Sequence, residues 1–136
     1  MRHQACANCG APGTVAFKGE TFRVSYKGLS AEVKGLSGRR CSSCGEIEFD
    51  RGSAKRYAAA GDKLVLDARA EQRSEIRRIR RKLRLSQAMA AELTGGGHNA
   101  FSRYERGEST PLPAVVNLFK LLDRHPDLLK ELTGNR

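Results

Sequence analysis

Two kinds of periodicity run along this chain. Around position 24 apolar residues fall on every second place, with Phe22, Val24 and Tyr26 on one face and Arg23 and Ser25 on the other. Leu29, Ala31 and Val33 then alternate with Ser30, Glu32 and Lys34, and Gly28 stands at the junction. Period-two patterning on both sides of a glycine predicts a β-hairpin over residues 21–34. Further along, the spacing changes to three and four. Ser53 is placed to cap a helix over residues 54–60, which Gly61 would stop. Five more helices are expected, over residues 72–83, 86–93, 99–106, 113–124 and 126–132. Their boundaries come from an N-cap Ser86, the run Gly95-Gly96-Gly97, Gly107, Pro113 and Pro126 in first-turn positions, and Gly134. Connections of two to five residues between short helices point to a compact helical domain.

The change of rule near Asp67 divides the chain into a β-rich part over residues 1–67, a hinge at 68–72 and a helical part over 73–136. The fold class is therefore α+β. All four cysteines and nine of the fourteen glycines precede the change. Basic residues exceed acidic ones on both sides, 11 to 7 before the change and 14 to 8 after it. A formal charge of +10 favours a polyanionic partner. The longest apolar runs are four residues, at 57–60 and 88–91, far below the roughly 20 that a spanning helix needs. The opening residues MRHQACANCG hold no apolar stretch of the signal-peptide kind. The expected compartment is the cytoplasm, where cysteines serve more often as metal ligands than in disulfides.

Cys6-Ala7-Asn8-Cys9-Gly10 and Cys41-Ser42-Ser43-Cys44-Gly45 are two CxxCG knuckles, 31 residues apart. A two-residue spacer lets both thiolates of a knuckle reach one tetrahedral ion at Zn–S distances of about 2.3 Å. Four such ligands, Cys6, Cys9, Cys41 and Cys44, close the coordination sphere, so one structural Zn(2+) per chain is expected. Free thiols or a redox dithiol are the alternative, and His3 is the other ligand type at hand. No nucleophile–base set or phosphate loop is spaced convincingly, so an enzyme is not expected.

In the helical part, Phe101 and Tyr104 share a face that turns inward. Asn99, Ser102, Arg103 and Arg106 fall on the free face or at its N-terminal end. Asn can pair bidentately with adenine and Arg with guanine in a major groove, which makes Asn99 and Arg103 candidate base readers. The blander alternatives are that Asn99 only caps its helix and that Arg103 pairs with Glu105 or Glu108. Seven basic residues against one acid crowd residues 73–84. Arg73, Arg77, Arg78 and Arg81, with Ser102 and Arg106, are candidate phosphate contacts. Leu118, Phe119, Leu121, Leu122, Leu128, Leu129 and Leu132 form either a dimer interface or simply core.

The string Gly95-Gly96-Gly97-His98-Asn99-Ala100-Phe101-Ser102-Arg103-Tyr104-Glu105-Arg106-Gly107, downstream of paired CxxC motifs, resembles the MqsA-type antitoxins over nearly the whole chain. The resemblance implies the antitoxin of a type II toxin–antitoxin pair. Its N-terminal domain would bind an mRNA-cleaving toxin, and its C-terminal Xre-type helix-turn-helix would dimerise and repress its own operon at palindromic DNA. By motif position it makes Cys6, Cys9, Cys41 and Cys44 the zinc ligands and Asn99 and Arg103 the base contacts. His98 departs from the apolar residue expected there. The alternative is a free-standing zinc-containing regulator with no toxin partner.

Overall fold

The computed structural model describes residues 4–134, so His3 lies outside it. The elements run β1 (Thr14–Tyr26), β2 (Leu29–Cys41), β3 (Ile47–Phe49), α1 (Arg51–Lys82), α2 (Gln87–Thr94), α3 (Ala100–Arg106), α4 (Pro113–Arg124), a 3-10 turn (Pro126–Leu128) and α5 (Leu129–Thr133). This is the α+β organisation expected. The chain divides into two compact units, with the boundary between Ala68 and Arg69.

In the first unit, β1 and β2 pair antiparallel from Tyr26↔Leu29 out to Thr14↔Cys41. Lys27 and Gly28 join them with φ of +46° and +82°. Two successive positive φ values are the signature of a type I′ turn, whose twist suits the strands, and glycine takes its place there without strain. The hairpin is longer than residues 21–34. Register shifts between Phe17 and Glu20 and between Glu20 and Phe22 break the alternation that would have revealed its outer half. β3 adds to β2 through Gly38↔Phe49, Arg39↔Glu48 and Arg40↔Ile47, and three residues carry no legible period. A β-carbon at Gly38 would collide with the Glu48 carbonyl, so glycine lets the strands approach. Phe17, Phe22, Phe49 and Tyr57 pack in series, tilted or edge to face, with centroids 4.9 to 5.5 Å apart. Val33, Leu36 and Leu64 are buried in the same unit.

The helix expected at 54–60, its stop at Gly61 and the helix start at Gln72 give way to one helix of 32 residues, α1, whose backbone is helical through residues 68–72 as well. A single interior glycine costs a helix only about 1 kcal/mol relative to alanine. At Gly61 the helix lies close to β1, where an added β-carbon would sit 3.8 Å from Val24 Cγ1. Next to it, buried Leu64 anchors the helix, and Lys63 pairs with Asp67 at 2.7 Å across one turn. Tertiary burial thus carries the helix through a stretch whose local signals read as a break. Ser53 is not the cap. It lies in the first turn, buried, and its Oγ accepts the Ser37 N–H at 2.9 Å.

The second unit follows its predicted boundaries more closely. Ser86 caps α2, its Oγ accepting the Met89 N–H at 3.0 Å, and Gly95 ends it. α4 starts at Pro113. The fifth helix is a 3-10 turn leading into α5. Ile76, Ile79, Leu83, Leu85, Ala90, Ala91, Phe101, Val115, Val116, Phe119 and Leu122 make one core, centred on Phe101 and Phe119 with rings 5.2 Å apart.

Asp123 of α4 staples α1 to that core, accepting from Arg78 Nη2 at 2.7 Å and Lys82 Nζ at 2.8 Å. The Arg78 guanidinium, followed by the Lys82 ammonium, holds the Asp123 carboxyl well below the usual carboxylate range. A carboxyl depressed in the folded state contributes stability fully above its unfolded pKa, near about 3.9, and loses it as pH falls through the folded value. Asp123→Asn is expected to lower the melting temperature at neutral pH, and its gap from wild type to shrink below about pH 4. A gap that persists unchanged into acid, followed by circular dichroism, would refute the assignment.

Candidate metal centre and candidate nucleic-acid interface

Cys6 sits just before β1, Cys9 follows it in a turn, Cys41 closes β2 and Cys44 lies in the turn leading to β3. The register Thr14↔Cys41 at the open end of the hairpin brings the knuckles together. Each folds back on itself: the Gly10 N–H donates to the Cys6 carbonyl at 2.9 Å and the Gly45 N–H to the Cys41 carbonyl at 3.0 Å. All four sulfurs lie within 4.8 Å of one another. Cys6 Sγ is 3.7 Å from Cys44 Sγ, and Cys9 Sγ is 3.6 Å from Cys41 Sγ. A tetrahedral ion with Zn–S of about 2.3 Å spaces its sulfurs about 3.8 Å apart, so the four thiols fit a metal ion. Cys6 and Cys41 are buried, while Cys9 and Cys44 face solvent.

The surroundings already favour thiolate at one corner. Backbone N–H groups of Cys44 and Ser43 point at Cys41 and bring its thiol down to about 6. At Cys9 the Ala11 N–H pulls the other way, but the crowded sulfurs of Cys44 and Cys41 prevail and push that thiol up to about 12. A cation among the sulfurs would remove this competition by stabilising every thiolate. Asn8 adds an amide donor 3.7 Å from Cys44 Sγ, a neighbour not foreseen from the motif.

In the second unit, α2, the glycine turn and α3 form a helix-turn-helix pair. Phe101 is fully buried and its ring lies 5.3 Å from that of half-buried Tyr104, which fixes the inner face of α3. Asn99 occupies the N-cap, yet its side chain makes no capping hydrogen bond. Arg103, four residues on, is exposed. Both carboxylates that could hold Arg103 are engaged elsewhere: Glu105 by Arg80 at 2.7 Å and Glu108 by Arg106 at 3.1 Å. Among the described residues neither Asn99 nor Arg103 has a side-chain partner in the protein. The two bland alternatives for these residues are therefore not what the fold adopts.

The candidate phosphate contacts separate. Arg78 is engaged by Glu75 and Asp123. Arg77 lies 4.0 Å from Glu105, and Arg106 is paired with Glu108. Arg73 and Ser102 are half-buried, and Arg81 is exposed. Of the apolar C-terminal set, Phe119 and Leu122 are core, while Leu118, Leu128 and Leu129 pack against it. Only Leu121 and Leu132 stay half exposed, at 49% each.

One buried network went unforeseen. Glu105, its side chain 6% exposed, accepts from Arg80 of α1 and from Gln87 Nε2 of α2 at 3.0 Å. It ties three helices together directly behind the exposed face of α3. The signal was present in the spacing: Glu105 stands four residues after Phe101, and Arg80 four after Ile76, both on buried faces.

A hairpin unit closed by four thiols, followed by a helix-turn-helix unit, defines a two-part class of architecture. Within it, the chain belongs to the MqsA antitoxin family: the family described as "antitoxin component of bacterial toxin-antitoxin system, MqsA" matches residues 4–133. It is similar to the Antitoxin MqsA of Escherichia coli (strain K12), with 36% identity over 110 residues, covering 79% of this chain and 84% of that protein. Family membership gives the chain the role of antitoxin in a toxin–antitoxin system. Among the described residues no helix is long and apolar enough to cross a membrane.

Proposed function

We propose that this chain neutralises an mRNA-cleaving toxin through residues 1–67 and represses its own operon through residues 73–136. In this reading Cys6, Cys9, Cys41 and Cys44 hold one Zn(2+) that is structural, because four protein sulfurs leave no position for substrate. The helical unit binds palindromic operator DNA as a homodimer, with Leu121 and Leu132 as the members of the C-terminal apolar set left for the dimer contact. Regulation proceeds by binding and not by catalysis.

The observation that carries the DNA reading is the unpaired state of Asn99 and Arg103 on a helix whose opposite face is anchored by Phe101. Long polar side chains held ready and unsatisfied on a rigid element suit base edges. A bidentate Asn–adenine or Arg–guanine pair contributes about 1–3 kcal/mol of discrimination. The expected outcome in fluorescence anisotropy is that the zinc-loaded protein prefers duplex from its own promoter over scrambled duplex by about a thousandfold or more. Asn99→Ala combined with Arg103→Ala should abolish that preference. Equal, salt-sensitive binding of wild type to both duplexes would overturn the assignment of α3 as the reading helix.

A further inference from the structure

The basic residues in the last turns of α1 lie on two flanks of the core-facing Ile76, Ile79 and Leu83, and their charges are treated differently. On the α4 flank, Arg78 and Lys82 meet Asp123, and Glu75 adds a second carboxylate to Arg78 at 2.6 Å. Two cations there face two carboxylates. Arg69, Arg73, Arg77 and Arg81 recur every four residues, each step rising about 6 Å and turning about 40°, so the row winds around α1, passing α3 at Arg73 and Arg77 and reaching the outer face at Arg81. The carboxylate bordering this row is Glu105, and it is filled by Arg80 and Gln87. It reaches Arg77 only at 4.0 Å. Arg69 and Arg81 are exposed and have no ion-pair partner among the described residues.

The row lies beside the reading helix. The Arg73 guanidinium rests on Gly107, the C-cap of α3, so closely that a β-carbon there would come within 2.8 Å of Nη1. Like charges at i,i+4 destabilise a helix, so this row is unfavourable in the free chain and is relieved by a polyanion lying along it. We infer that Arg69, Arg73, Arg77 and Arg81 contact the sugar–phosphate backbone of the duplex that α3 reads, and that Arg78 and Lys82 do not. The inference rests on the reading of α3 as a DNA-binding helix. It adds Arg69 to the interface, removes Arg78, and fixes the side of α1 along which the backbone passes.

The test is anisotropy of the full-length protein on promoter and scrambled duplexes across a salt series. Arg69→Gln with Arg81→Gln breaks no ion pair within the protein and relieves two like-charge i,i+4 contacts, so it should not lower the melting temperature. It should weaken binding to both duplexes alike and flatten the slope of log K against log salt by about 0.9 for each phosphate no longer neutralised. Arg78→Gln should lower the melting temperature and leave that slope unchanged. An unaltered slope in the double variant overturns the inference, and so does an equal flattening by Arg78→Gln. Asn99→Ala keeps the two readings apart: it changes the promoter-to-scrambled ratio but not the slope. If wild type shows no ratio to lose, the α3 reading fails while the slope on scrambled duplex still judges the row.

Discussion

Replacing Cys41 and Cys44 together by serine is expected to unfold the first unit and leave the second folded. The physical reason is where each unit keeps its stabilising interactions. Among the described residues before Ala68, the fully or nearly buried apolar side chains outside the cysteines are Val33, Leu36 and Leu64, a small core for a unit of this length. Cys6 and Cys41 are themselves among its buried residues. Structural zinc contributes about 10–16 kcal/mol in small four-ligand domains at neutral pH, more than a small domain's whole stability. With the zinc site proposed above, losing two of four ligands removes most of that stabilisation. The second unit has its own cluster of eleven buried residues, all between Ile76 and Leu122. Wild type should therefore melt in two steps by circular dichroism. The double variant, and wild type stripped by a strong chelator, should keep only the step of the helical unit. Loss of both steps together would show that the units do not fold independently.

Glu105→Ala is expected to be as damaging to the helical unit as the loss of a large core side chain. It removes a single methylene of apolar surface, but it leaves the Arg80 guanidinium, 12% exposed, without its carboxylate. Arg80 Nη1 would retain only the Leu85 carbonyl at 2.9 Å, and Gln87 would lose its acceptor. Breaking a buried pair from one side costs about 3–5 kcal/mol, because the remaining charge stays desolvated. For a unit of this size that corresponds to a fall in melting temperature on the order of 15 °C or more. Replacing Arg80 and Glu105 together by apolar residues of similar volume should restore most of the loss, since the desolvation penalty disappears with the charges. A change of under about 1 kcal/mol in the single variant, the range of an exposed pair, would mean that the network is not buried in solution. Because Glu105 sits behind Asn99 and Arg103, the same variant reports how far the aim of α3 depends on this support.

What was legible in the sequence was whatever depends on neighbours close along the chain. The knuckle spacing set which four cysteines could share an ion. Ser86, Gly95, Gly107 and Pro113 marked helix ends through capping and backbone constraints that act within one turn. The inward face of α3 followed from Phe101 and Tyr104 three residues apart. The strand alternation around Gly28 revealed the inner half of the hairpin and no more, because the bulges near Gly19 shift the period.

What only the tertiary structure decided were the outcomes that depend on distant partners. Gly61 reads locally as a stop, yet packing beside Val24 and the burial of Leu64 carry α1 through it. Local propensity is worth about 1 kcal/mol per residue at most for such positions, and burial of one leucine outweighs it at roughly 1.5–3 kcal/mol. The arginines of α1 look alike in sequence. Their division into a buried partner of Glu105, a staple to Asp123 and an unneutralised row arises only when α3 and α4 bring their carboxylates to opposite flanks. Composition determined that this chain carries excess positive charge. The fold determined which of those charges are left to meet something else, because a carboxylate neutralises an arginine only at close range.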